Sequence, residues 1–244
     1  IAPRSPSDCF HAAIEAARIA LTYRTPVLLL SDNYVANGSE PWLLPEVDSL
    51  PDLQVEFATE ANDDDGKTFL PYLRDPQTLA RPWAIPGTPG LEHRIGGLEK
   101  ADRTGDISYD PANHDFMVRT RQARIDAIPV PDVEVEDPNG DARTLVLGWG
   151  STYGPIGAAC RALRQRGLSV AQAHLRHLAP LPANLGEVLR NYDRVVIPEM
   201  NLGQLAHVIR ARYLVDAIGY NQVRGLPFTA TELETMLEEV VKNV

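Results

Sequence analysis

The stretch TLVLGWGSTYGPIGAACRALRQRGLSVAQAH, residues 144–174, reads as strand, glycine-rich turn, helix and strand. Its first segment, 144–148, is short and almost wholly apolar, as expected of a parallel strand covered on both faces. The pattern then repeats toward the C-terminus. Strand candidates at 144–148, 169–174, 194–198 and 222–225 alternate with helix candidates at 154–167, 182–191, 203–218 and 231–241. This βαβα order predicts an α/β domain over 143–244, a doubly wound parallel sheet. The last helix opens on Thr229-Ala-Thr-Glu232, a capping box that marks its start.

Upstream of this domain the chain has two textures. Ser5 before Pro6 reads as an N-cap with proline at the first helical position. Cys9, Ala12, Ala13, Ala16, Ala17, Ala20 and Leu21 then fall at helical spacing on one small-residue face. PVLLL (26–30) follows as a short apolar strand. One helix and one strand cannot bury themselves, so 1–35 is read as the closing αβ unit of a sheet whose other strands lie upstream. The start at Ile1, directly before APRSPSD, carries the same expectation of a piece of something longer. Residues 36–142 hold 12 of the 20 prolines, with loop signals NDDDG (62–66) and PGTPG (86–90). They read as a long irregular connection with partner contacts. Inside it, 53–57 is a strand candidate and 115–128 a helix candidate. In that helix Phe116, Val118, Ala123, Ile125 and Ile128 form the apolar side and Arg119, Arg121 and Arg124 are exposed.

Composition narrows the function. With 244 residues, 44% hydrophobic and 23% charged, the chain is an ordinary globular one. The formal charge of −10 repels polyanions, which argues against a nucleic-acid partner. No apolar run reaches the roughly 20 residues needed to span a bilayer, and there is no secretory signal. No membrane partner is therefore expected, and the address is cytoplasmic by default. Cys9 and Cys160 stand far apart, outside any CxxC or Cys/His cluster, so no zinc site or iron–sulfur cluster is built from this chain. His93 and His114 lack metal-ligand spacing, and the expectation is no metal. There is no GxSxG nucleophile elbow either.

Three constellations carry possible chemistry. The turn GWGSTYG (148–154) joins a strand to a helix, and the backbone around Gly148, Gly150, Ser151, Thr152 and Gly154 is a possible anion site. The strand after it ends without the carboxylate of a dinucleotide fold, so NAD is not expected. At the carboxyl end of the third strand stand Glu199, Asn201 and Gln204, positioned for a ligand or for capping the next helix. Asp32 and Asn33 follow the apolar 26–30 segment in the same way. In the long connection Glu92, His93 and Arg94 form a polar set able to orient a substrate carboxylate. His174 and His177 read as satisfied histidines at the core's edge.

The motif order SPSDCFHAAIEAARIALTYRTPVLLLSDNYVANGSEPW (5–42), GLEHRIGGLEK (90–100), TGDISYDPANHDFMVRTR (104–121), GWGSTYGPI (148–156), HLAPLP (177–182), EMNLGQL (199–205) and VRGLPF (223–228) resembles the C-terminal part of the α subunit of 2-oxoacid:ferredoxin oxidoreductases. The 2-oxoglutarate type is the nearest. The resemblance implies that 1–35 closes a thiamine-diphosphate pyrimidine-binding domain and that 143–244 is a transketolase C-terminal-like domain. It implies oxidative decarboxylation of 2-oxoglutarate to succinyl-CoA, with electrons passing to ferredoxin. Thiamine diphosphate, Mg2+ and a [4Fe-4S] cluster would be held mainly by a β subunit and by an upstream α segment. The partners implied are that segment, the β subunit, ferredoxin, the 2-oxoacid and coenzyme A. The family's catalytic residues lie upstream of Ile1, so none is carried over, and the chain is not expected to be competent alone. A pyruvate or other 2-oxoacid oxidoreductase, or a non-catalytic assembly module, remain as alternatives.

Overall fold

Leu145 and Leu147 point to one side of a strand and Val146 to the other, and all three are fully buried. A strand covered on both faces needs helices on both faces, and the elements supply them. The computed structural model describes residues 1–242. In chain order these form α1 (Pro6–Tyr23), α2 (Asn33–Asn37), α3 (Pro111–Asp126), β1 (Val135–Glu136), β2 (Thr144–Trp149), α4 (Tyr153–Gln165), β3 (Ala171–Leu175), α5 (Leu185–Arg190), β4 (Arg194–Glu199), α6 (Gln204–Tyr213), β5 (Ile218–Asn221) and α7 (Ala230–Lys242). The chain divides into two units. One comprises Ile1–Ala13, Leu28–Leu44 and residues from Val130 onward; the other comprises Ile14–Val27 and Pro45–Pro129.

The first unit holds the sheet, in the order β1-β3-β2-β4-β5. β2 pairs parallel with β3 (Gly148 opposite His174) and with β4 (Val146 opposite Val196), and β4 pairs parallel with β5. β1 is a short antiparallel edge on β3. One face packs Leu145, Leu147, Leu175 and Ile197 with α5 (Leu185, Leu189) and α6 (Ile209). The opposite face packs Val146 and Val196 with α4 (Ile156, Leu163) and α7 (Leu233, Leu237). This is the doubly wound arrangement expected from the alternation of apolar strands and helices. No described helix is long and apolar enough to cross a membrane.

Several local expectations are corrected. The 26–30 segment is extended but forms no strand, and Leu28, Leu29 and Leu30 are exposed. Its backbone bonds to Ile1, whose N–H donates to the Leu28 carbonyl at 2.9 Å and whose carbonyl accepts from the Leu30 N–H at 2.8 Å. An apolar run becomes a core strand only when both its faces are covered. The last strand lies at Ile218–Asn221 rather than 222–225. α6 stops at Tyr213 because Leu214 adopts a left-handed conformation (φ 56°), which frees the chain to re-enter the sheet four residues earlier than expected. α5 begins at Leu185 instead of Pro182. There the Asn184 side chain instead pairs with both the N–H and the carbonyl of Val133, each at 2.9 Å.

The capping box holds as expected. The Glu232 N–H donates to Thr229 Oγ1 at 3.2 Å, and the Thr229 N–H donates to Glu232 Oε2 at 2.9 Å. The Arg224 guanidinium, then Thr229, holds the Glu232 carboxyl down from 4.5 to about 2. A carboxylate with a depressed folded pKa stabilises the fold above its unfolded value and loses that contribution as it protonates. The first turn of α7 should therefore fray as pH falls from 4.5 toward about 2. Amide exchange at Leu233 should report it, and Glu232→Ala, which removes the acceptor as well as the charge, should show the frayed turn already at neutral pH.

In the second unit, α3 starts at Pro111 rather than 115, because Asp110 caps it by accepting from the Ala112 N–H at 2.9 Å. Its buried side is Met117, 1% exposed, whereas Phe116 and Val118 are about half exposed. Of the expected apolar side, Ile128 is buried and Ile125 half-buried, but Phe116, Val118 and Ala123 are exposed; Arg119 and Arg121 are exposed as expected, whereas Arg124 is partly buried. Asn113 moors this helix, accepting from the Asp102 N–H and donating to the Lys100 carbonyl, both at 2.9 Å. Residues 53–57 are extended but carry no ladder, with a single bridge just beyond them at Ala58 and Ala84. Arg24 stacks on Trp83 at 4.0 Å and donates to the Glu56 carbonyl at 2.9 Å, which ties the turns together.

Candidate functional site

β2 leads through α4 to β3 on one side, and the chain then crosses to β4 on the other. The crevice at the carboxyl ends of β2 and β4 is thus a topological switch point, where open α/β sheets bind ligands. Local sequence opens this crevice. At Gly148 a Cβ would lie 2.6 Å from Ile156 Cδ1 and 3.0 Å from Thr152 Oγ1, so any larger residue would have to displace the buried Ile156 side chain. Gly150 then takes a left-handed conformation, φ 58°. Thr152 Oγ1 locks the turn, accepting from the Trp149 N–H at 3.2 Å and donating to the Trp149 carbonyl at 2.7 Å.

A cavity of roughly 230 Å3 lies there, lined by Leu30, Asp32, Trp149, Ser151, Met200 and Asn201. Asp32 Oδ1 caps α2 by accepting from the Val35 N–H at 2.9 Å, while Oδ2 accepts from the Ser151 hydroxyl. Behind the wall Glu199 is 0% exposed. Its Oε1 accepts from Trp149 Nε1 at 3.2 Å, Asn201 Nδ2 at 3.0 Å and the Leu205 N–H at 3.0 Å, and its Oε2 accepts from the Ala206 N–H at 3.0 Å. Asn201 Oδ1 accepts from the N–H groups of Gly203 and Gln204 at 2.7 and 3.2 Å. Glu199 and Asn201 therefore satisfy the start of α6, where orphan N–H groups and the helix dipole favour a negative charge.

Of the expected site residues, the fold brings Asp32, Ser151 and Asn201 to one cavity, with Glu199 supporting it. Gln204 is exposed at the start of α6. Asn33 opens α2, its Oδ1 accepting from Asn37 Nδ2 at 2.6 Å. Glu92, His93 and Arg94 belong to the second unit and are all exposed. His93 Nδ1 pairs with the Leu91 carbonyl at 2.7 Å, and its ring meets Phe69 edge-on at 4.9 Å. An anion at the glycine-rich turn would meet the Asp32 carboxylate beside Ser151, so the charge there favours a neutral or donor-bearing group.

Sequence reasoning missed a larger cavity at the end of β3, and it took His174 for a satisfied side chain. Among the described residues both ring nitrogens of His174 are buried without a hydrogen-bond partner. The available signal was Gln172 and His174, two polar residues on alternate positions of an otherwise apolar strand.

The donor set gives a cofactor test. Among the described residues no group of three or more His, Cys, Asp or Glu could hold a metal ion. Burial pushes the Cys160 thiol up to about 12, and burial also raises that of Cys9. Two protonated thiols do not match the four thiolates of an iron–sulfur cluster. The switch-point cavity is also smaller than the range of about 300–1,000 Å3 usual for a cofactor. These residues do not fit a cluster or a magnesium-bound diphosphate, and no reaction step is assigned to them.

Comparison with known proteins is consistent over nearly the whole chain. The family described as "Pyruvate flavodoxin/ferredoxin oxidoreductase, thiamine diP-bdg" matches residues 1–110. The 2-oxoglutarate oxidoreductase subunit KorA of Mycobacterium tuberculosis is 62% identical over 233 residues, 96% of this chain and 35% of that protein. Subunit alpha of 2-oxoacid:ferredoxin oxidoreductase 1 from Aeropyrum pernix is 31% identical, covering 83% of this chain and 32% of that one. A solved structure of 2-oxoglutarate:ferredoxin oxidoreductase from Magnetococcus marinus, with 2-oxoglutarate, coenzyme A and succinyl-CoA bound, superposes with a TM-score of 0.81 at 31% identity. That match covers 92% of this chain and 39% of the other. The chain thus spans about a third of the length of these relatives. Over nearly all its residues it is similar to one part of a 2-oxoglutarate oxidoreductase subunit and of a 2-oxoglutarate:ferredoxin oxidoreductase, the family to which its motifs pointed.

Proposed function

We propose that this chain serves as part of the α subunit of a cytoplasmic 2-oxoglutarate:ferredoxin oxidoreductase, which converts 2-oxoglutarate and coenzyme A to succinyl-CoA and passes electrons to ferredoxin. The observation that carries this reading is the 62% identity to the M. tuberculosis subunit over 96% of the chain. Thiamine diphosphate is supported by the family matched at residues 1–110, and Mg2+ and [4Fe-4S] belong to the same proposal, held by a β subunit and by other α residues. The role assigned to this chain is to build the doubly wound domain, hold the switch-point wall and present subunit contacts. Large exposed apolar side chains, Leu43 at 91%, Leu98 at 102% and Leu214 at 89%, support such contacts. A pyruvate or other 2-oxoacid specificity is the second reading. It is favoured by the broader name of the A. pernix relative and by the description of the matched family.

The test is to purify the protein with its natural companions, identify the polypeptides and cofactors by native mass spectrometry, and assay coenzyme A-dependent ferredoxin reduction. We expect 2-oxoglutarate to support turnover well above pyruvate. Faster turnover with pyruvate would move the protein to the second reading. No reduction by either acid, with companions and cofactors present, would leave a non-catalytic assembly module.

A further inference from the structure

Between residues 25 and 66 the sequence carries ten Asp and Glu side chains and no Lys or Arg. The middle of that stretch, residues 43–57, is an arm: it holds a single 3-10 turn, Val47–Ser49, and no strand. Among the described residues its hydrogen bonds up to residue 55 stay within the arm. The Ser49 and Leu50 N–H groups donate to the Glu46 and Val47 carbonyls, and the Gln54 N–H donates to Asp52 Oδ1. Its large apolar side chains are nevertheless turned to solvent, with Leu43 91%, Leu44 80% and Val47 78% exposed. Apolar surface this dense marks an interaction site. Glu46, Asp48 and Asp52 stand among these side chains, all exposed, and none makes an ion pair among the described residues.

A surface of matching chemistry lies on α3. A groove of roughly 430 Å3 is lined there by Leu79, Phe116 and Ala123, and by Arg74, Arg103 and Arg119 against the one carboxylate of Asp102. Asp102 is held by Arg74 at 2.7 Å. Arg103 and Arg119 have only exposed carboxylates beside them, Asp64 at 3.7 Å and Asp115 at 2.8 Å. Exposed pairs of this kind hold their partners weakly, so an incoming carboxylate can replace them. Phe116, half exposed on a helix whose buried side is Met117, thereby gains a reason for its position.

We propose that residues 43–57 of one copy of this chain seat in the α3 groove of a second copy, and that the exchange is mutual about a twofold axis. The arm brings carboxylates and apolar side chains, and the groove brings arginines and apolar side chains. Fifteen arm residues and the ten that line the groove fall within the roughly 20–30 residues a side of a standard interface. Apolar burial supplies the affinity, and the charges select the partner. A small inorganic anion would answer the arginines but leave Leu79 and Phe116 uncovered. The inference rests on the reading of this chain as one that presents subunit contacts. Its test reads association and no activity, so its failure leaves the oxidoreductase reading standing.

The experiment counts copies of this chain per particle, by native mass spectrometry and sedimentation velocity, in the protein isolated with its companions. An arm variant carries Glu46→Arg and Asp48→Arg, and a groove variant carries Arg103→Glu and Arg119→Glu. All four positions are exposed, and circular dichroism verifies that each variant is folded. The parent protein is expected to hold two copies per particle. Either variant alone sets like charges against each other in both contacts and should raise the dissociation constant of the pair at least about tenfold. A one-to-one mixture restores opposite charges in both contacts and should recover the two-copy particle. If the groove variant misfolds, Leu43→Ser with Val47→Ser on the arm should weaken the pair as well. Three results would overturn the proposal: one copy per particle in the parent, arm variants that pair with the parent's affinity, or folded variants whose mixture pairs no better than either alone. Release of a companion polypeptide by the arm variant, with the copy number unchanged, would also overturn it by assigning the arm to that companion.

Discussion

Glu199→Ala should destabilise the protein by about 3–5 kcal/mol, the expected cost of orphaning several buried donors at once. Four donors converge on this fully buried carboxylate: the indole of Trp149, the amide of Asn201, and the backbone N–H groups of Leu205 and Ala206. Alanine leaves all four without their acceptor in a site that water enters poorly. Glu199→Gln separates the contributions. Its one remaining oxygen can still serve Trp149, Asn201 and Leu205, but its NH2 would face the Ala206 N–H, so a smaller loss of about 1–3 kcal/mol is expected. Urea unfolding followed by circular dichroism measures both. Equal losses for the two variants would mean that the negative charge at the α6 terminus, rather than the acceptor count, carries the effect.

The second large effect is acid sensitivity from His174. Burial lowers its folded pKa from 6.5 to about 3, with Arg4 adding to the shift and Asp8 opposing it. Above pH 6.5 the ring is neutral in both the folded and unfolded states. As pH falls below that value the unfolded chain takes up a proton that the folded state refuses, so stability declines by up to about 1.4 kcal/mol per pH unit. The decline should end near pH 3, where the folded ring also protonates. Carboxylates titrate in the lower part of this window as well, so the informative quantity is a difference. His174→Phe should flatten the slope between pH 6 and 5, where carboxylates contribute least. Parallel stability curves for the variant and the parent protein would show that the ring already carries a proton in the fold.

The legible and the illegible parts of this chain divide along a physical line. Strands β2 and β4 were readable because each holds a short apolar run, Leu145–Leu147 and Val195–Ile197, between helices, and β3 because it falls in the same alternation despite Gln172 and His174. The α7 start was readable because a capping box is a local exchange of hydrogen bonds within four residues. The 26–30 run looked equally apolar, yet forms no strand here, since strand formation depends on a neighbouring ladder that no local pattern encodes. The α6 boundary and the β5 register turned on the left-handed conformation of Leu214, which composition does not announce. In α3, periodicity chose Phe116 and Val118, but packing chose Met117.

The candidate site divides in the same way. Strand-end position singled out Glu199 and Asn201, because the switch-point rule follows from topology and topology follows from the alternation of elements; Asp32 was picked by the same rule after a segment that forms no strand, and it reaches the cavity as the cap of α2. Which oxygen caps a helix, which faces a cavity, and which is sealed behind Trp149 emerged only from side chains brought together across 119 residues in the case of Asp32 and Ser151. The unpartnered Gln172 and His174 were invisible for the same reason, since satisfaction is a property of neighbours rather than of the residue. The sequence by itself determined the doubly wound sheet, the α7 capping box and the family resemblance, all of which rest on local spacing and burial pattern. The tertiary structure alone decided the strand registers, the two cavities and which buried polar atoms found partners, because long-range contacts set these and no window of sequence contains both partners.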